Sequence, residues 1–555
     1  MLKKMLAFFN KNRFAQIEII ILITTLVVFI INAQYVTYPD EFVNLLGGKA
    51  LLAGKLPYRD FFDNHMPLPW YLSAVLIKMS AGSYIVFRFL WSMFQFALLF
   101  ILGVWIKSQN RSLYNYYLGF LITFPLLAVY FWLHLYLADS LAVLFFAVIF
   151  WLLMTLTLTQ KINKKMLYIA SLLTFCLIFS SMTFLYLSGA LYLWQLYLLI
   201  RSQFDRRSII NFLAFAALPY LVYFVYLVLT GSLSDFIFAN FTYNTNQYIG
   251  IANYTRGRLF NPLKFGLALI FNFWHEYIPL LAKLKDLSLN LPIITLSGLA
   301  GFLLLLILSS YSFVLGIIFF LLMSFTAPRS NLQTANETDY QMGVFLVFGL
   351  SAAFIAIYYL RRIKLRDELL NDIKRLSVIM TSVLLLFTFL FLAKNTYEKW
   401  YLRYSQAMPS IYDLAPSASF TDEIIGNNDY YWMGPFEPQE MFFVKKAKLA
   451  SKYPVLLPQY KENGFLKNDF INQLDKTRPT LIIFKTDMGI FMTPAEKFAD
   501  FLLVWMSDKY TLLEKIPNIK ILKSPSSFTL GHHLFIRNDK QEQILMKLKK
   551  RGYIE

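Results

Sequence analysis

Residues 17–42 read IEIIILITTLVVFIINAQYVTYPDEF. The apolar part carries one charge, Glu18, and is about as long as the ~20 residues a helix needs to cross roughly 30 Å of hydrocarbon. Where it ends, the chain places Asp40, Glu41, Asp60, Asp63 and His65 rather than the aromatic and basic anchors usual at a span's end, and the cations Lys49, Lys55 and Arg59 share the same loop. Comparable apolar runs recur to about residue 393, and 57% of the 555 residues are hydrophobic against 15% charged. With 55 Phe and 35 Tyr as well, this composition excludes a water-soluble globular protein. No barrel-type alternation is present, so the expected fold class is an all-α polytopic membrane bundle. The N-terminal MLKKMLAFFNKNRF resembles the basic region of a signal peptide. The apolar run after it is too long for one and has no small-residue cleavage site, which predicts a retained first span.

The net charge of +19 would suggest nucleic acid in a soluble protein, but here it sits largely between spans. Lys3, Lys4, Lys11 and Arg13 precede the first span, Lys107 and Arg111 follow the second, and Lys161, Lys164, Lys165, Arg201, Arg206 and Arg207 separate later ones. Clusters on alternate loops follow the positive-inside rule, which accounts for the charge without a nucleic-acid partner. Placing them inside predicts about eleven spans. These fall near 17–34, 83–106, 113–131, 139–159, 167–183, 185–200, 209–230, 291–308, 311–327, 342–360 and 376–393. Parity keeps the basic segment RRIKLRDELLNDIKR (361–375) cytoplasmic only if FNPLKFGLALIFNFWHEYIPLLAKL (260–284) is an interfacial helix on the outer face, with His275 and Glu276 toward water. The N-terminus is then cytoplasmic. Loop 35–82 and everything after residue 393 are extracytoplasmic, at a cytoplasmic (inner or plasma) membrane.

Beyond 393 charges and prolines become frequent and no run can span, which sets a membrane domain over 1–393 and a soluble domain over 394–555. In the latter, TLIIFKTD, YTLLEKI and HLFIRN predict strands, while EMFFVKKAKLASKY and TPAEKFADFLLVWMSDKY have helical periodicity, giving a small α/β unit. Cys176, the only cysteine, lies inside an apolar run, so no disulfide or thiolate metal site forms within one chain.

Loop 35–82 is too rich in Leu, Phe, Pro and Trp to float free, and predicts short amphipathic helices on the membrane that fix its polar groups at headgroup height. A chemistry suited to that position is sugar transfer from a lipid-linked phosphosugar. A positioned carboxylate takes the acceptor's proton, a contribution of about 10²–10⁴-fold. Cations stabilise the charge growing on the departing phosphate. The plain alternative is a solvated loop of mixed charge.

The first span followed by Asp-Glu, then GKLPYRDFFDNHMPL, resembles the GT-C glycosyltransferases of family 39 type, which include the protein O-mannosyltransferases and the aminoarabinose transferase of lipid A. The likeness covers the membrane region to about residue 393 and is most specific in the first loop. It implies that Asp40 is the general base of an inverting transfer and that Glu41 supports it. It places His65 at the family's histidine, although His-Met-Pro-Leu replaces the family's His-Pro-Pro-Leu. Arg88 corresponds to an Arg early in the second span, and Asp139, in YLADSLAVLF, to an acidic residue opening the fourth. For Arg88, pairing with Asp139 or Asp63 stands beside phosphate contact, since a charge inside a span is functional or paired.

Lys55, Arg59, Arg88, Arg329 and Tyr340 are the candidate donor-phosphate contacts, the last two on APRSNLQTANETDYQM (327–342), a loose match to the family's late Arg-to-Tyr loop. Asp63, His65, Asp139, Tyr243 and Tyr248 are candidates for support or for sugar and acceptor binding, and Tyr243 and Tyr248 equally suit an interfacial belt. His65 with a carboxylate could hold a divalent metal, but a lone histidine is more often a hydrogen-bonding group and no cofactor is required. The implied partners are a polyprenyl-phosphate sugar donor, a lipid, glycan or protein acceptor, and membrane lipid. A lipid-linked glycan transporter or flippase, a polymerase or ligase using diphosphate-linked donors, and a non-catalytic relative whose outer domain binds glycan are the rivals. Only the transferase gives Asp40 and Glu41 a task.

Overall fold

The computed structural model describes residues 13–35, 37–248, 270, 275, 277–282, 291–327, 340–362, 368–405, 415–491, 493–522 and 532–555. The chain forms two compact units, one from residues 1–35, 79–226 and 261–408, the other from 36–78, 227–260 and 409–555.

In the first unit every expected span is a helix: Arg13–Asn32, Tyr84–Gln109, Arg111–Tyr130, Ala138–Thr159, Lys164–Ser180, Leu185–Arg201, Arg206–Leu229, Leu291–Tyr311, Phe313–Phe325, Gly343–Arg362 and Glu368–Ser405. Among the described residues nine helices are long and apolar enough to cross a membrane; Lys164–Ser180, at 17 residues, and Phe313–Phe325, at 13, are shorter. The protein is a multi-pass membrane protein. The interfacial helix expected over 260–284 lies mostly outside the described residues, which retain only the short helix Ile278–Ala282 of it.

Helices of similar apolarity take opposite places. Ala138–Thr159 is 94% buried over its apolar window, whereas Arg206–Leu229 is 11% buried. Lipid is as apolar as a protein core, so composition marks a span without saying which spans lie inside. Close packing comes instead from small residues. A Cβ on Gly349 would lie 2.2 Å from Cβ and 2.3 Å from Cα of Ser297, so helices Leu291–Tyr311 and Gly343–Arg362 touch backbone to backbone there. Hydroxyls inside the bundle are satisfied locally: Thr155, Thr157 and Thr174 donate to the carbonyls of Trp151, Leu153 and Ala170, one turn back. The lone charge of the first span is answered by the second, since Lys107 Nζ lies 2.6 and 2.8 Å from the Glu18 carboxylate and Tyr114 donates to it at 3.0 Å.

The second unit contains a sheet of order β2-β1-β3-β7-β6, from β1 (Tyr430–Gly434), β2 (Lys448–Leu449), β3 (Leu481–Lys485), β6 (Tyr510–Leu512) and β7 (His532–Arg537), with a separate hairpin of β4 (Gly489–Ile490) and β5 (Thr493–Pro494). β1 is parallel to β2 and β3, and β7 is antiparallel to β3 and β6. Strands β3, β6 and β7 are the three expected from sequence. The helix expected over 440–453 is cut short at Phe443. The Asp422 carboxylate accepts the amides of Lys445 and Lys446 at 2.8–3.1 Å, drawing the chain out of the helix and into β2. The helix expected over 493–510 is likewise two short pieces, Ala495–Phe498 and Asp500–Met506. Residues 37–78 contribute helices Pro39–Leu52 and Leu68–Met79 to this same unit.

The Gly349 contact leaves no room for a methyl group, so Gly349→Ala should destabilise the purified protein by about 1–3 kcal/mol. Gly189, with nothing within 4 Å of its would-be Cβ, should tolerate alanine without loss. Thermal midpoints of both variants in one detergent give the comparison.

Candidate functional site

Pro39 opens helix Pro39–Leu52, and Asp40 and Glu41 occupy its first turn. Proline lacks the amide that would be unpaired there, and the positive end of the helix dipole favours carboxylates. The two acids differ in access: Glu41 is 0% exposed, while Asp40 is half-buried and open to solvent on one side. The Glu41 amide donates to the Tyr38 carbonyl at 3.1 Å, and Asn44 Nδ2 donates to the Asp40 carbonyl at 3.3 Å.

This helix is held on two sides. Toward helix Leu68–Met79 it shows two glycines: a Cβ on Gly47 would meet the Trp70 ring at 2.4 Å, and one on Gly48 would meet Ser73 Oγ at 2.2 Å and the Ala74 amide nitrogen at 2.7 Å. Ser73 Oγ donates to the Asn44 carbonyl at 3.0 Å across this contact. Toward helix Pro438–Phe443, the Phe42 ring lies 5.8 Å from both Phe442 and Phe443. Lys49 Nζ donates to the Phe442 carbonyl at 2.9 Å and to the Val444 carbonyl. Burial depresses the Lys49 ammonium to about 8, with the Asp422 charge opposing.

The loop that follows spends its charges on itself. Arg59 forks onto the Asp60 carboxylate at 3.0 and 3.1 Å and donates to the Thr230 carbonyl at 3.0 Å. This holds Asp60 below the usual carboxylate range. Burial lowers Lys55, and the Asp60 charge opposes that shift. Phe62 donates its amide to the Lys452 carbonyl at 2.9 Å, and its ring sits 5.0 Å from Tyr453 and 5.6 Å from Tyr243. Asp63 is buried; its Oδ1 accepts the Asn64 amide at 2.7 Å and lies 2.9 Å from His65 Nδ1. Its Oδ2 has no hydrogen-bond partner among the described residues. Asn64 and Asn244 exchange hydrogen bonds at 2.7 and 3.0 Å, fastening the loop to the 238–248 turn that carries Tyr243 and Tyr248.

In the membrane unit Arg88 is fully buried. It donates to the Tyr84 hydroxyl at 3.1 Å and to the Asn32 and Tyr35 carbonyls at 3.4 and 3.3 Å, a cation closing the carbonyl end of the first span. Asp139 is buried in the first turn of helix Ala138–Thr159. Tyr340 is half-buried in the turn entering Gly343–Arg362. Arg329 lies outside the described residues. His134 went unnoticed in sequence: it is buried, with its ring 5.2 Å from Tyr35. Its signal was rarity, one of five histidines in the chain, placed between two spans.

Chemically, the second unit offers a solvent-reachable carboxylate on a rigid helix, a buried carboxylate behind it, and an Asp63–His65 pair on the adjoining loop. Among the described residues no three His, Cys, Asp or Glu side chains group to hold a metal ion.

No protein-family model matches the chain, and no curated protein matches it. Among solved structures it is similar to ArnT from Cupriavidus metallidurans bound to undecaprenyl phosphate, with a TM-score of 0.47 and 12% identity over 94% of this chain and 98% of that one. It is similar to the same protein in the apo state at a TM-score of 0.47 and 10% identity, with the same coverage of both chains.

Gly48→Ala should drive helices Pro39–Leu52 and Leu68–Met79 apart at a cost of about 1–3 kcal/mol. Faster amide exchange in both helices would register it. A second expectation concerns Glu440, on the helix that docks Phe42 and Lys49. Burial raises its carboxyl from the ordinary 4.5 to about 7, opposed by the hydrogen bond from the Ala418 amide and reinforced by Glu437. The folded state therefore holds this proton more tightly than the unfolded chain. The associated stability is complete below pH 4.5 and is lost as pH rises through about 7, a change of about 3 kcal/mol. Glu440→Gln should flatten that part of the stability–pH curve.

Proposed function

We propose that this chain is a GT-C membrane glycosyltransferase that moves a sugar from a polyprenyl-phosphate donor to an acceptor hydroxyl or amine at the outer face of the cytoplasmic membrane. One observation carries the proposal: of two adjacent acids opening a clamped helix, Glu41 is sealed in and Asp40 reaches solvent. A general base has to meet the acceptor, and its neighbour does not. Asp40 accepts the acceptor's proton as the acceptor oxygen or nitrogen bonds to the anomeric carbon. The bond from that carbon to the phosphate oxygen breaks with inversion, and the prenyl phosphate departs with the electron pair. Glu41, buried in the same helical turn, supports the placement of Asp40.

Arg88 and Arg329 are the cations assigned to the departing phosphate. Arg59, already committed to Asp60, contributes by fixing the loop, and Lys55 stands near the same carboxylate. Asp63, His65 and Tyr243 lie on or against that loop, where they support acceptor or sugar binding, with Tyr248 and Asp139 as further candidates. The N-terminus faces the cytoplasm and the sheet-containing unit faces outward. The acceptor is a lipid, glycan or protein, and the reaction as written draws on no metal.

The test is Asp40→Asn, measured for transfer in membranes supplied with prenyl-phosphate sugars, beginning with undecaprenyl carriers. Transfer should fall by about 10²–10⁴-fold while prenyl-phosphate binding persists. Transfer retained at the wild-type rate would remove Asp40 from the chemistry. Lipid-linked sugar moved across the bilayer without a new glycosidic bond would favour a transporter.

A further inference from the structure

Three features of the second unit remain outside the function proposed above. A groove of about 710 Å³ runs between helices Gly464–Thr477 and Asp500–Met506, edged by Asn468, Asn472, Phe501 and Trp505. It is open to solvent, and nothing in it selects one ligand. A cluster of Glu437, Glu440 and His532 lies beside β1 and β7, with His532 Nε2 2.8 Å from Glu437 Oε1, and its polar groups answer one another. The third is Lys49, a cation of the first loop whose carbonyl partners lie nearly four hundred residues away.

Lys49 stands in the last turn of the helix whose first turn holds Asp40 and Glu41. Its ammonium donates to two carbonyls at the end of helix Pro438–Phe443, where the last carbonyl groups of a helix have no partner within it. A cation at that end also meets the negative pole of the helix dipole. Phe42, near the other end of the same helix, packs on Phe442 and Phe443 of the same docking element. With Gly47 and Gly48 pressed on Trp70 and Ser73 on the other side, the helix has little freedom to slide or turn. Burying an ammonium at a joint that aromatic contacts could seal alone is costly, which points to a requirement for direction.

We infer that Lys49 is a positioning residue: by tying helix Pro39–Leu52 to the C-terminal segment, it sets the height and rotation of Asp40, so that the sheet-containing unit is part of the machinery of transfer. This rests on the proposed role of Asp40. Lys49 touches no substrate in this scheme and acts only through the helix.

The charged groups facing Lys49 are Asp422, from helix Pro416–Ile424, and Lys445, just past the docking helix; helix Leu68–Met79 presents Trp70 and Ser73 to the shared contact. As pH rises through about 8 the ammonium loses its charge, and the neutral amine still offers two N–H donors to the two carbonyls. A lysine depressed by burial makes the docked state more stable as it deprotonates, between about 8 and its ordinary 10.5. The joint therefore holds through that window.

The experiment uses the full-length chain in detergent or nanodiscs, with Lys49→Met and Lys49→Arg. Amide exchange over residues 41–46 is read without any substrate, and transfer is read across pH with undecaprenyl-phosphate sugars. Lys49→Met should speed exchange in that helix and lower kcat by ~10–100-fold, with the donor KM unchanged. Lys49→Arg should keep most of the rate. Wild-type exchange and rate in Lys49→Met, or a rate in Lys49→Arg as low as in Lys49→Met, would overturn the inference. Should Lys49→Met fail to fold, Lys49→Gln takes its place with the same expected outcomes. The two proposals fail separately: full transfer in Asp40→Asn, with exchange still governed by Lys49, would refute the base and leave the joint standing.

Discussion

Two helices can lie against each other closely enough to fix a side chain's position only where something small stands between them. In the second unit that constraint falls on Gly47 and Gly48, which let helix Pro39–Leu52 rest on Trp70, Ser73 and the backbone of Ala74. Any side chain there would lift the helix and move its acidic first turn. The aromatic contacts of Phe42, the hydrogen bond from Ser73 and the reach of Lys49 all presuppose that approach. The site is therefore rigid because of what its helix lacks at two positions as much as because of what it bears at two others.

Charges in this chain are answered in different ways. Glu18 meets Lys107 and Tyr114, Arg88 meets a hydroxyl and two carbonyls at the end of the first span, and Arg59 meets Asp60. Carbonyl groups at helix ends serve as partners for both Arg88 and Lys49. In the first turn of helix Pro39–Leu52, exposure to solvent distinguishes Asp40 from the sealed Glu41.

Much of this was legible in sequence, and the limits have physical causes. Span positions were readable because hydrocarbon thickness sets helix length: a helix lies at each expected position, and nine among the described residues are long and apolar enough to cross. Their order from centre to periphery was not readable, since Ala138–Thr159 and Arg206–Leu229 are of similar apolarity and the bilayer does not distinguish an inward face from an outward one. Asp40 and Glu41 stood out because acids are rare at a span's end, yet which of them is sealed depends on packing that no local pattern encodes. The helix expected across 440–453 had the right periodicity and lost to a side chain, Asp422, that captured two of its amides from outside. The joint made by Lys49 was not readable, because its carbonyl partners at 442 and 444 have no side-chain signature at all.

The unit that carries Asp40 is assembled from three separate stretches of chain, 36–78, 227–260 and 409–555. During synthesis the earliest of these emerges long before the last, so the nascent polypeptide must hold a glycine-faced, aromatic-rich helix without its eventual dock while most of the spans are still being inserted. The candidate site is thus completed only after the dock at Pro438–Phe443 has been made. An incompletely made copy would hold spans in the bilayer while its acidic helix still lacked the dock that aligns it.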